Sequence, residues 1–105
     1  MFQPVEVVSG QNVLDVGFRD IQELQEIASR VGPTGSVFGI DINPLNIHSV
    51  SKKLASLSSN IYVKRGSVLT VPFDDRLFDL VLRKGVLHEV KQLEKAVSEM
   101  ARVCK

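Results

Sequence analysis

Four short apolar runs, separated by longer segments of helical period, limit what this chain can fold into. They are Val13-Leu14-Asp15-Val16-Gly17, Val37-Phe38-Gly39-Ile40, Ile61-Tyr62-Val63-Lys64-Arg65 and Leu80-Val81-Leu82. After the first run, Asp20 reads as a helix N-cap with Glu23 as its capping-box partner, and Ile21, Leu24, Ile27 and Val31 recur at helical steps. Gly32-Pro33-Thr34-Gly35 ends that helix. After the second, Asn43 caps a helix with Pro44 in its first turn, and Ile47, Val50, Leu54 and Leu57 form its buried stripe until Ser58-Ser59-Asn60 breaks it. A last helix turns Leu93, Val97, Met100 and Cys104 inward and Lys91, Glu94, Lys95 and Glu99 outward.

Strand alternating with helix at this spacing is the pattern of right-handed parallel crossovers. The first, second and fourth runs are near-continuously apolar, as strands covered on both faces are. The third alternates and ends in two basic residues, as an edge does. The expected architecture is therefore an α/β three-layer, doubly wound parallel sheet, Rossmann-like, with strand order 3-2-1-4. Residues 1–105 read as one domain, with 1–10 as a lead-in.

Composition narrows the function classes. Net charge is +1 in 105 residues, with 24% charged and 44% hydrophobic, so no electrostatic case exists for nucleic acid or an anionic membrane as partner. No apolar run approaches the roughly 20 residues that cross a bilayer, and Met1–Glu6 carries no secretory pattern. Cys104 is the sole cysteine, which excludes an internal disulfide and a thiolate metal site; the expected location is the cytoplasm.

Ligands of open parallel sheets bind beyond the carboxyl ends of the strands, where the strand order reverses. The loops reaching that point are Gly17-Phe18-Arg19-Asp20, Asp41-Ile42-Asn43, Gly66-Ser67-Val68 and Arg83-Lys84-Gly85. Asp41, about two dozen residues after Gly17, has the placement of a carboxylate that accepts both ribose hydroxyls, or of one that caps the next helix. Gly17 allows a tight turn and close ligand approach. The G-x-G-x-x-G pattern is absent, as is a phosphate-cradling loop ending in Gly-Lys-Ser/Thr, which argues against nicotinamide chemistry. Asp15, within an apolar strand, either pairs with backbone amides or touches a ligand. His48 and His88 have no nucleophile or metal-ligand partners by spacing. Lys52-Lys53 and Lys64-Arg65 read as solvated pairs, and Phe73 and Phe78 as anchors pinning the Asp74-Asp75 loop to the core.

These runs resemble the class I S-adenosylmethionine-dependent methyltransferases, in their ubiquinone/menaquinone-biosynthesis type. Val13–Gly17 is similar to the family's first motif, Val31–Gly35 through Gly39-Ile40-Asp41-Ile42 to its second-strand region, and Gly66–Phe73 with Leu77–Val81 to its third-strand loop and fourth strand. Val86–Val90 and Glu99–Lys105 are similar to the helix that follows. The resemblance implies an S-adenosylmethionine site: Gly17 and Phe18 at the methionine part, Asp41 on the ribose, Ile42 and Val68 around the adenine, Ser67 at its edge, and Arg83 by the homocysteine portion, with Asp15 also among the cofactor-binding residues. Methyl transfer in this family relies on alignment rather than a universal acid or base, so no catalytic residue follows from it.

Arg19 and Ile21 stand where the family has further glycines, and Ser67 where it has an acidic residue. The expectation is therefore weak S-adenosylmethionine or S-adenosylhomocysteine binding. The resemblance also implies a domain truncated after the fourth strand and its helix, inactive alone, its open fourth-strand edge covered by a second copy in a homodimer. The alternative reading is a non-catalytic module that uses the same fold for assembly or regulation.

Overall fold

The computed structural model describes residues 7–57, 60–83 and 90–105. The expectations placed on Met1–Glu6, Ser58-Ser59 and Lys84–Glu89, including His88, lie outside them. The elements in order are β1 (Asn12–Val16), α1 (Ile21–Val31), β2 (Ser36–Asp41), α2 (Pro44–Leu54), β3 (Ile61–Arg65), β4 (Leu80–Arg83) and α3 (Val90–Val103). All strand pairings are parallel and the order is β3-β2-β1-β4, as the apolar patterning implies. Among the described residues no helix is long and apolar enough to cross a membrane.

Alternation along the strands divides the core in two. Val13, Val37 and Ile61 pack with Leu24, Ile27, Val31 and Val50 beneath α1 and α2. Leu14, Val16 and Ile40 pack on the opposite face with Val71, Phe78 and Val103. Phe78 is fully buried, and Phe38, Phe73 and Phe78 meet edge to face at 5.2–5.5 Å, so both phenylalanines do pin the loop.

The helix ends follow their capping chemistry. Asp20 Oδ1 accepts from the Glu23 N–H at 3.1 Å, and Glu23 Oε2 reaches back to the Arg19 N–H at 2.7 Å. Gly32 closes α1 at φ 69°, donating to the Ala28 carbonyl at 3.0 Å. Asn43 Oδ1 accepts from the Leu45 N–H at 3.0 Å with Pro44 behind it.

Three expectations are corrected. Among the described residues of α3 those fully buried are Ala96 and Val103; Leu93 and Val97 are 43% and 52% exposed. Glu99, expected outward, turns in because Arg102 and the Val71 N–H hold its carboxylate. α2 ends at Leu54, a turn early, leaving Leu57 exposed. The fourth run lies at the sheet edge beside β1, where the expected order puts it, and is half-buried along its length.

Candidate functional site

The carboxyl ends of β1, β2 and β3 are stitched together by main chain. Gly17 turns the chain at φ 72°, a conformation that glycine adopts without strain, and its N–H donates to the Ile40 carbonyl at 2.8 Å. The Gly66 N–H donates to the Asp41 carbonyl at 3.0 Å. The loops bearing Gly17, Asp41 and Ser67 are thereby held side by side.

Asp41 is half-buried at the end of β2. Its Oδ1 accepts from the Asn43 N–H at 3.1 Å and its Oδ2 from the Asn46 side-chain amide at 2.7 Å. Capping of α2 falls to Asn43, so the carboxylate sits outside the helix rather than on its first turn. Ile42 beside it is 66% exposed, and its carbonyl accepts from Arg65 Nε at 3.3 Å.

The remaining predicted residues divide into rim and interior. Ser67 and Val68 are half-buried in a tight turn, where Ser67 Oγ accepts from the Leu69 N–H at 3.0 Å and its carbonyl from the Thr70 N–H at 3.1 Å. Val68 packs against the second core cluster. Arg83 is half-buried at the end of β4, in register with Val16. Asp15 is fully buried in β1, in register with Gly39 and Leu82. The Phe18 side chain is interior too: 2% exposed, it lies over Gly39, where an added Cβ would stand 2.7 Å from its ring. Only the Phe18 backbone faces the loops; its carbonyl accepts from the Asn46 amide at 3.5 Å. His48, on the exposed side of α2, joins none of these groups.

Two contributions escaped the sequence reading. Asn46, third residue of α2, bridges Asp41 and Phe18; a polar residue at the third helical position is a capping-box signal, here turned toward Asp41 rather than the cap. The second is an ion pair on α3. Arg102 Nε donates to Glu99 Oε2 at 2.7 Å, and its terminal nitrogens donate to the carbonyls of Phe73 and Val71 at 2.9 and 2.8 Å and to Asp75 at 2.8 Å. Glu99 Oε1 accepts from the Val71 N–H at 2.8 Å. The Arg102 guanidinium holds the Glu99 carboxyl below the usual glutamate range, and Glu99 in turn pushes Arg102 up. A groove of about 700 Å³ opens at the opposite, amino-terminal end of the strands, between Ala28, Pro33, Leu57 and Tyr62; it includes none of the predicted site residues.

Parallel order 3-2-1-4 with its loops converging at the carboxyl ends defines a doubly wound nucleotide-binding-type fold. Residues 14–105 match the family described as "Methyltransferase domain", and the chain belongs to that family. It is 29% identical over 106 residues to the demethylmenaquinone methyltransferase of Lactobacillus johnsonii, with 99% of this chain and 43% of that protein covered. With that of Desulfitobacterium hafniense it shares 31% over 105 residues, covering 98% and 42%. Among solved structures it superposes on a SAM-dependent methyltransferase from Aquifex aeolicus with a TM-score of 0.83 at 27% identity, covering 95% of this chain and 54% of the other. It also matches an arsenic(III) S-adenosylmethionine methyltransferase from Chlamydomonas reinhardtii, with a TM-score of 0.80 at 25% identity, covering 96% and 38%. The chain spans less than half the length of these curated relatives.

Proposed function

We propose that this chain is the cofactor-binding half of an S-adenosylmethionine-dependent methyltransferase. The observation that carries the proposal is Asp41: each carboxylate oxygen accepts one described hydrogen bond and keeps acceptor capacity for a vicinal pair of ribose hydroxyls. The surroundings fit the group. Exposed Ile42 offers an apolar surface to a base, with Val68 as the opposing contact and Ser67 at the edge. Gly17, without a Cβ, admits the amino-acid portion, and Arg83 closes the site beside Val16. The Phe18 side chain acts from beneath, packed over Gly39, and Asp15 lies fully buried in β1 below the site. When bound, the cofactor supplies an electrophilic sulfonium methyl; the part of this chain is to hold and align it.

Family membership and this placement of Asp41 favour cofactor binding over a purely structural module. Calorimetric titration with S-adenosylmethionine and S-adenosylhomocysteine tests it. Binding that Asp41→Ala abolishes in a folded protein is expected; no heat from either ligand at millimolar concentration would overturn it.

The same proposal places the chain in the cytoplasm and pairs it with a second copy. Support for pairing comes from β4, half-buried at the sheet edge, and from Leu93 and Val97, exposed on α3. Light scattering at micromolar concentration should give twice 11.6 kDa; a clean monomer would exclude it.

A further inference from the structure

We infer that Arg102 and Glu99, which lie outside the candidate site, are positioning residues for the adenine end of the bound cofactor, acting through the loop between β3 and β4. The inference rests on the cofactor reading above. Both main-chain polar groups of Val71 are taken by this pair: its N–H by Glu99 and its carbonyl by Arg102. Arg102 then holds Phe73 and Asp75, while its own carbonyl accepts the Arg76 N–H at 2.9 Å. The loop is therefore fixed to the C-terminal turns of α3 at Val71, Phe73, Asp75 and Arg76.

That attachment is transmitted to the site by contact. Pro72, next to Val71, lies against Gly66 so closely that a Cβ there would stand 2.9 Å from the proline ring. Gly66 is bonded to the Asp41 carbonyl and leads directly into Ser67 and Val68. Moving Val71 and Pro72 thus moves the two residues placed at the base, while the Asp41 carboxylate is oriented by Asn43 and Asn46 on α2's side. Only a guanidinium can serve four acceptors in one plane; an ammonium of equal charge cannot.

The test compares the full chain with Arg102→Lys and Glu99→Gln, titrated with S-adenosylhomocysteine and with S-inosylhomocysteine, which carries an oxo group in place of the adenine amine. The wild type should prefer the adenine ligand. Each variant should lose about tenfold in affinity for it, the scale of one displaced hydrogen bond, and the preference should shrink toward unity. Asp41→Ala, by contrast, should weaken both ligands alike. Hydrogen exchange without ligand gives a separate readout: amides at Leu69–Val71 should exchange at least about tenfold faster in Glu99→Gln while β1 stays protected. If Arg102→Lys fails to fold, Glu99→Gln decides. An unchanged ligand preference in a folded variant overturns the inference. Faster loop exchange in a protein whose wild type binds neither ligand overturns the cofactor reading, and this inference with it.

Discussion

Asn46 donates its side-chain amide to Asp41 Oδ2 at 2.7 Å, and the same nitrogen reaches the Phe18 carbonyl at 3.5 Å, so one residue of α2 ties together the loops after β1 and β2. The carboxylate is oriented before any ligand arrives. Asn46→Leu should cost about 1 kcal/mol of stability and weaken S-adenosylhomocysteine binding several-fold. Asn46→Asp should be worse at pH 7, because it sets two carboxylates in contact, and should recover below about pH 5 as one is protonated. Calorimetry at the two pH values checks this; equal affinities for Asn46→Asp across that range would show that Asn46 does not govern the carboxylate.

Cofactor affinity should be modest. The Arg19 N–H is already bonded to Glu23, and the Ser67 hydroxyl is engaged by the Leu69 N–H. Two impaired contacts at about 1 to 2 kcal/mol each raise a low-micromolar dissociation constant to about tens of micromolar or weaker. A submicromolar dissociation constant would show that these substitutions cost nothing.

Gly39→Ala should destabilise the fold by about 1–3 kcal/mol. Its Cβ would stand 2.7 Å from the Phe18 ring and 3.1 Å from Leu24 Cδ2, and both side chains are buried and packed. Urea unfolding measures the loss. Because Phe18 follows Gly17 directly, the displaced ring should also weaken ligand binding, and Gly39→Ala with unaltered stability would mean that the core yields more easily than its packing implies.

Acid should release the α3 latch. Glu99 has a folded-state pKa below its ordinary value because Arg102 and the Val71 N–H favour the carboxylate. A depressed pKa gives stability that is complete above the unfolded-state value, about 4.3, and is lost as pH falls through the folded-state value. Wild type should therefore lose stability relative to Glu99→Gln on going from about pH 5 to pH 2. Parallel denaturation curves for the two proteins over that range would show that the pair contributes no such linkage.

The strands, their order and the helix caps were legible because each rests on local signals: apolar runs, an alternating edge, Asp20, Asn43 and Gly32. The α3 face was not. Helical period alone permits both the Leu93–Val97 stripe and the Ala96–Val103 stripe, and what selects the second is the loop that Glu99 and Arg102 grip, nearly thirty residues earlier in the chain. At the candidate site, the position of Asp41 at the end of β2 could be read from the apolar run before it, whereas Phe18 could not be assigned to the core, since only Gly39 on the neighbouring strand makes room for its ring. Pairings between distant segments carry no mark in the sequence beside either partner.

β1 lies second from the edge of the described sheet, and its two partners are made at different times. β2 pairs with it after a short crossover, but β4 pairs Val13 with Leu80, and Asn12 holds Asp79 through its N–H at 2.7 Å. A chain emerging from the ribosome can therefore assemble β1, β2 and β3 while one side of β1 stays open, and cannot seal that side until β4, about seventy residues after β1, is made. Closing so long a loop is slow relative to forming the helices. At a synthesis rate of about 5–20 residues per second, that side of β1 stays without its partner for a time on the order of several seconds.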